Sequence, residues 1–420
     1  MNILEINTND FRGGAAQVVY NLKEEMKKGG NKVSIFSAHK TIDDPDVSLI
    51  NPKMACGFLS RLSKKIIKKD LPSFIIFKTR DTFHSLIAND IEFFKVNHIL
   101  KTKEFKQADV IHVHNLHGNY FNLNLLEKIS RIKPVVWTLH DMWALTGHCS
   151  YSYNCEKWKD GCGDCPDLGI YPPLFWDNTH RLWKKKKEIY NNSKLNIVVP
   201  SLWLKEITQK SILKNQNIEL IYNGVDLMDL KQHNQIKARK KLNLPLNKKI
   251  IMFLAAGGKK DKRKGWFYVE KMIEMYKDIL FLCVGGKENE YNKRGNVRYV
   301  AYVDSKKGLA EYFSASNIFL FTSLAENFPL VVLEALACGV PIVGFDVGGV
   351  KEAIIHKENG YIVQFKDIND LKAGIDYIFS LSEEVINKVQ QSSVKRVRKN
   401  FSLEIMAKNY KKLYDNISLP

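Results

Sequence analysis

Several features are scarce in this 420-residue sequence, and each shortage narrows what the protein can be. No apolar run approaches the roughly 20 residues that a bilayer-spanning helix needs. The N-terminus lacks the charged-then-apolar pattern of a secretory signal, so a cytoplasmic protein is expected. The absence of short-period repeats and low-complexity tracts argues against solenoid and disordered architectures. Acidic residues are outnumbered, 45 Asp and Glu against 64 Lys and Arg, and the net charge of +19 calls for an anionic partner: a membrane surface, nucleic acid or a phosphorylated substrate. No nucleic-acid recognition motif accompanies that charge, so nucleic acid is not expected. Cysteine is sparse, with seven in all, and a cytosolic chain keeps them reduced.

What the chain does contain is an alternation of short apolar runs with amphipathic segments in both halves, the pattern of α/β domains with parallel sheets covered on both faces. Strands are expected at Ile3 to Ile6, Lys32 to Ser37, Val110 to His114, Val135 to Leu139 and Asn196 to Val199. In the second half they are expected at Ile250 to Ala255, Ile279 to Val284, Val297 to Tyr302, Ile318 to Thr322 and Ile342 to Phe345. An amphipathic helix covers Ala15 to Lys28, and the turn dipeptide Asn223-Gly224, followed by a lysine-rich stretch, marks the boundary between halves.

The most informative stretch is Ser323 to Gly349, SLAENFPLVVLEALACGVPIVGFDVGG. Glu326 follows a buried-strand run, and Glu334 lies eight positions on, inside a helix whose apolar repeat covers Leu330 to Cys338. Pro329 suits a first helical position, and the backbone from Asn327 and Phe328 to Leu330 and Val331 offers amides at a helix N-terminus, where anions are favoured. In open parallel sheets ligands bind at this edge. Amides and helix dipole suit a diphosphate, and a carboxylate further in suits ribose hydroxyls. An isolated pair of glutamates on an amphipathic helix would be an ordinary solvated surface; the neighbouring residues make the difference.

Those neighbours are Ala337, Gly339, Pro341, Ile342, Val343, Gly344, Gly348, Gly349 and Glu352, and with the Glu-x7-Glu pair they resemble the signature of the retaining glycosyltransferases of family 4. The resemblance extends over most of the chain: Gly13 and Gly14 after the first strand, His140 at a strand end, Asn223-Gly224-Val225-Asp226, and a basic loop from Gly258 to Gly265 follow the family's order. It implies the GT-B fold, two Rossmann-like α/β domains with a cleft between them. An acceptor-binding domain would comprise 1–222, completed by a helix from about 400–420, and a nucleotide-sugar-binding domain 223–399. It further implies transfer of a hexose from a nucleotide-diphosphate sugar to a lipid-linked or polysaccharide acceptor, by retaining, metal-independent chemistry. In that reading Lys264, with Lys259 and Arg263, meets the leaving diphosphate; the family's usual Arg is Lys259 here, and Arg263 stands by as the guanidinium. Glu326 grips sugar and phosphate and Glu334 the ribose. Gly13 and Gly14 face the donor, His140 lies beside the transferred sugar, and His117, Asp141 and Trp143 fall on the acceptor side. His112 is expected to be a core residue. The contrasting classes are a glycosidase using the two glutamates, a GT-B-shaped epimerase or phosphorylase, and a sugar-nucleotide-binding protein without activity. The phosphorylase lacks a pyridoxal-lysine motif.

Two further segments stand apart. Cys149, Cys155, Cys162 and Cys165 form C-x5-C-x6-C-x2-C in a glycine- and aromatic-rich insert just after His140, with His148 adjacent. A structural zinc site on these four cysteines, with His148 able to replace one of them, is expected ahead of the alternatives, two disulfides or four unligated thiols. Between Arg61 and Arg80, Lys64, Lys65, Lys68 and Lys69 flank an apolar face of Leu59, Leu62, Ile66 and Ile67. This pattern fits either contact with the anionic inner face of a membrane or a solvated helix. Cys56, Cys283 and Cys338 look like small core residues.

Overall fold

The computed structural model describes residues 1–50, 53–54, 87–92, 94–255, 261–286, 290–291 and 295–418. The basic segment between Arg61 and Arg80, Cys56 and Lys259 lie outside them. The chain divides into two compact units, Met1–Ile221 with Ala407 onward, and Tyr222–Met406.

In the first unit the strands are β1 (Asn2–Asn9), β2 (Lys32–His39), β3 (Val47–Leu49), the short antiparallel pair β4 (Lys53–Met54) and β5 (Phe94–Lys95), β6 (Val110–Val113), β7 (Val135–Thr138), β8 (Asn196–Val199) and β9 (Asn217–Leu220). Seven of them form a parallel sheet in the order β3-β2-β1-β6-β7-β8-β9. One face is apolar, with Leu4, Ile6, Ile111, Val113, Val135, Trp137, Ile197 and Val199 in a single core. The other face carries Glu5 opposite His112 in register, together with Thr138. The helix Leu403–Ser418 lays two tyrosines there. Tyr414 Oη lies 2.6 Å from His112 Nδ1, and Tyr410 Oη lies 2.9 Å from Thr138 Oγ1. His112 is therefore the core residue expected.

The second unit contains β10 (Ile250–Leu254), β11 (Leu280–Gly286), β12 (Glu290–Tyr291), β13 (Val297–Ala301), β14 (Ile318–Phe321), β15 (Ile342–Phe345) and β16 (Gly360–Val363), ordered β12-β13-β11-β10-β14-β15-β16. All pairs are parallel except β12 with β13. Both faces of its inner strands are buried: Met252, Leu282 and Phe319 look into one core, and Ile251, Phe281 and Leu320 into the other. That two-sided burial explains why these strands read as continuous apolar runs.

In each sheet the chain first builds to one side and then to the other, which leaves a switch point between β1 and β6 and another between β10 and β14. Loops leaving the carboxyl ends of those strands define the edges where such sheets bind ligands. Among the described residues no helix is long and apolar enough to cross a membrane.

The hydroxyl of Tyr414 is the partner of a ring nitrogen that water cannot reach. Tyr414→Phe keeps the ring and strands His112 Nδ1, at an expected cost of about 1–3 kcal/mol. Denaturant unfolding checks this, and an unchanged midpoint would mean that His112 finds another partner.

Candidate active site

At the switch point of the second unit, the chain leaving β10 forms a short 3-10 turn, Lys262–Lys264, capped by the Asp261 side chain, which accepts from Arg263 N at 3.0 Å. Gly265 ends that turn in the left-handed region (φ 68°) and starts the helix Trp266–Met275. Only glycine fits, because a Cβ would come within 2.0 Å of Thr322 O. This close approach stitches the loop to the one leaving β14: Leu324 N donates to Arg263 O (2.7 Å) and Thr322 Oγ1 to Lys264 O (3.0 Å).

The stitching brings three charges together. Lys264 Nζ and Arg263 Nη1 both donate to Glu326 Oε1, at 2.6 and 2.9 Å, and Arg263 also reaches Ala325 O. The Glu326 side chain is 9% exposed, Lys264 16% and Arg263 29%. Burial alone would raise the Glu326 pKa, but Lys264 and Arg263 outweigh it and hold the carboxyl below its usual range, so it is ionised at neutral pH. A second close approach fixes its backbone. Gly348 (φ 58°) would place a Cβ 2.1 Å from Glu326 O, and Gly349 N donates to Asn327 O at 2.7 Å.

The next helix spans Leu330–Ala337, and no side chain caps its N-terminus. Pro329 occupies the cap position, one residue earlier than the sequence suggests. Phe328 turns inward against Tyr222 and Phe401, with its carbonyl held by Asn223 Nδ2 at 3.1 Å, so it offers this edge only its backbone. Leu330 and Val331 are half-buried, and Asn327 is buried. Glu334, also buried, forms an ion pair with Lys306. Lys306 opens the helix Lys306–Ala315 and had no motif to flag it.

In the first unit the loops after β1 and β6 are joined in the same way. Thr8 Oγ1 donates to His117 O (2.8 Å), and Gly118 (φ 99°) packs where a Cβ would sit 2.7 Å from the Thr8 methyl. Gly13 (φ 100°) precedes the helix Gly14–Lys28 and supplies no cap; a Cβ on Gly13 or Gly14 would meet nothing within 4 Å, so backbone conformation, not packing, calls for glycine at Gly13. His117 Nε2 lies 2.9 Å from Asp141 Oδ2, and Asp141 Oδ1 accepts from Trp143 N. Trp143 is a core residue: its indole donates to Asp90 at 2.6 Å, and Lys186 Nζ stands 3.6 Å over its ring. Lys186, fully buried, also donates to Trp143 O and Thr146 O, and burial lowers its pKa to about 8.

His140 lies two residues past β7, with its Nε2 3.1 Å from His114 Nδ1. Burial depresses its pKa to about 4 despite the Asp141 carboxylate. Behind His114 sits Glu5, wholly buried, and burial raises its pKa well above the usual range although Lys23 opposes this. Both Glu5 oxygens and His114 Nε2 are buried without hydrogen-bond partners, and one ligand atom each of Glu5, His112 and His114 lies within 4.8 Å of the others. A neutral Glu5 is a donor. The signal for Glu5 in the sequence was a lone acid in an inner apolar strand.

The four insert cysteines are free thiols in one neighbourhood, and burial pushes Cys149 up to about 12 and Cys162 to about 11. Cys283 and Cys338 are buried, as expected.

Two family profiles match the chain: "Glycosyltransferase Family 4" over residues 12–229 and "Glycosyl transferases group 1" over 234–397. A putative colanic acid biosynthesis glycosyl transferase, WcaC of Escherichia coli, is 25% identical and spans 99% of this chain and 100% of its own. An N,N'-diacetylbacillosaminyl-diphospho-undecaprenol α-1,3-N-acetylgalactosaminyltransferase of Campylobacter jejuni is 30% identical over 42% of this chain and 47% of its own. Among solved structures, Anabaena HepE in complex with UDP-glucose superposes with a TM-score of 0.61 at 13% identity, covering 99% of both chains.

Two outcomes follow from the buried histidines. A folded pKa near 4 for His140, below the unfolded value of about 6.5, means that the folded state binds fewer protons. Its contribution to stability is complete above pH 6.5 and is lost as pH falls toward 4. His140→Asn should flatten part of that acid-side loss, and an unaltered stability–pH curve would contradict the assignment. Glu5→Leu, which removes the buried carboxyl within 4.8 Å of a His114 ring nitrogen, should change the His114 ring-nitrogen shifts in 15N spectra; an unchanged spectrum would mean that the acid does not influence the imidazole.

Proposed function

The chain belongs to glycosyltransferase family 4 and has the GT-B fold, and on that premise we propose that it moves a hexose, with retention, from a nucleotide-diphosphate sugar to a lipid-linked or polysaccharide acceptor in bacterial cell-surface glycan synthesis. The observation that carries this reading is the Arg263–Lys264–Glu326 cluster at the switch point of the second sheet, beside an uncapped helix N-terminus. A departing nucleotide diphosphate gains negative charge as the bond to the sugar breaks. Two cations fixed by a shared carboxylate meet that charge without reorganising, and the helix amides add to them; Lys259, outside the described residues, is assigned to the same task by its place in the sequence. No divalent metal is needed for this step.

Glu326 is ionised and engaged by both cations, so it has no proton to give as an acid and is a poor nucleophile. This disfavours the paired-carboxylate chemistry of glycosidases. Retention then proceeds on one face of the sugar. The acceptor oxygen bonds to the anomeric carbon as the carbon–phosphate oxygen bond breaks, and the acceptor proton passes to the leaving phosphate. Glu334, positioned by Lys306, holds the ribose hydroxyls. His140, a neutral imidazole at pH 7, hydrogen-bonds the sugar without adding charge.

The names of relatives support the substrate classes: one acts on a diphospho-undecaprenol-linked sugar, and one structure holds UDP-glucose. A cytoplasmic enzyme with a net charge of +19 suits an anionic membrane surface presenting such an acceptor.

The test is a binding panel of nucleotide sugars, followed by acceptor screening and NMR assignment of the product anomer. An inverted product would sink the retaining assignment, and sugar release from oligosaccharide without a nucleotide sugar would favour a hydrolase. Lys264→Ala should lower kcat roughly 100-fold or more in a chain that still folds; wild-type turnover would remove Lys264 from the leaving-group site.

A further inference from the structure

Beyond the transfer site, the insert after His140 gathers donors for a soft metal. His148, Cys149, Cys155, Cys162 and Cys165 line one cavity of about 20 Å³, room for a single water-sized particle. We propose that this cavity is a structural site for one zinc ion held by the thiolates of Cys149, Cys155, Cys162 and Cys165.

Four observations support the site. The first is the backbone at the C-x2-C end: Gly161 (φ 150°), Cys162 (53°), Gly163 (96°) and Asp164 (43°) are consecutive residues with positive φ. Two of these are not glycine, a conformation that L residues rarely adopt without an external hold. The second is a pair of backbone donors aimed at sulfur. Gly147 N donates to Cys162 Sγ at 3.2 Å, and Asp167 N donates to the Cys165 sulfur. Such N–H···S contacts support metal-bound thiolates from the outer shell. The third is His148: Pro172 O can only accept, so Nδ1 carries a proton, and Nε2 points at Cys165 Sγ, 3.4 Å away. The fourth is charge. Four thiolates on a divalent ion leave two negative charges, and buried Lys186 lies close enough to Cys149 and Cys162 to interact with them electrostatically.

The insert also has few buried apolar side chains of its own. Between residues 146 and 173, Trp158 and Pro172 are the buried large apolar side chains, and the insert is otherwise held by hydrogen bonds such as Cys165 N to Asp177 and Gly163 N to Thr179. The sulfurs are spread around the cavity, since among the described residues only Glu5, His112 and His114 form a group of three ligand atoms within 4.8 Å of one another. Closing a four-sulfur shell therefore requires rotation of the cysteine side chains. The Glu5 group is the weaker metal candidate, because both nitrogens of His112 are occupied by Thr138 and Tyr414. Tetrahedral all-thiolate coordination favours zinc over harder cations. A metal here would fix the turn that carries Ser150, whose carbonyl accepts from Met142 N next to Asp141.

The full-length chain, purified under reductant, should contain about one zinc per chain by elemental analysis, as a closed four-ligand site binds. Cys162→Ser and Cys165→Ser should each lose most of it, and Cys283→Ser should keep it. Titrating cobalt(II) into chelator-treated wild type should produce the thiolate charge-transfer bands of a tetrahedral site; this readout does not depend on whether the serine variants fold. Zinc near zero together with an absent cobalt–thiolate spectrum overturns the proposal, as does recovery of iron or of two disulfides among the four cysteines.

Discussion

The shared carboxylate of Glu326 is the contact on which the second unit's ligand edge depends. Arg263 and Lys264 are neighbours in sequence, and without an acid between them their like charges would drive the basic loop open. A buried carboxylate, in turn, bears a desolvation cost that one weakly placed cation would not offset. Each partner is therefore tolerable only with the others in place. The backbone enforces this arrangement: two glycines in left-handed conformations, Gly265 and Gly348, let neighbouring loops approach Thr322 O and Glu326 O more closely than any side chain permits. The ion cluster and the glycines are one device, in which steric freedom at two positions fixes charge at a third.

The first unit uses the same sheet-edge plan with different chemistry. Its switch point is held by neutral hydrogen bonds, Thr8 to the loop after β6, and four of its titratable groups lie deeper, where burial drives them toward neutrality. Glu5, His112, His114 and His140 all have pKa values displaced in the direction that removes charge. The second unit thus presents fixed ions at its edge, whereas the first keeps four buried groups uncharged beside an Asp141 carboxylate that His117 holds below its usual range despite burial.

Much of this was legible in the sequence because buried parallel strands read as apolar runs. The strands Asn196–Val199 and Ile342–Phe345 fall where the sequence places them. In the two seven-stranded sheets the strands that escaped notice, Val47–Leu49, Asn217–Leu220, Glu290–Tyr291 and Gly360–Val363, are the border strands, which are short and mix polar with apolar residues; the small pair Lys53–Met54 and Phe94–Lys95 escaped too. Glu326, Glu334, Arg263 and Lys264 were recoverable because their spacing is local to two loops. Lys306, His114 and Glu5 were not assigned roles, since each matters through a partner brought near only by the fold. Trp143 shows the opposite limit: an aromatic beside a candidate site residue looks like a ligand platform, and only its contacts with Asp90 and Lys186 reveal a core anchor.

The helix Leu403–Ser418 starts in the second unit and ends in the first, and Tyr414 meets His112 across 302 residues of chain. During synthesis Thr138 and His112 therefore precede the tyrosines that pair with them by 272 and 302 residues, so both bonds must form late relative to the strands that carry them. Local contacts build the sheet, and a distant helix completes its polar face.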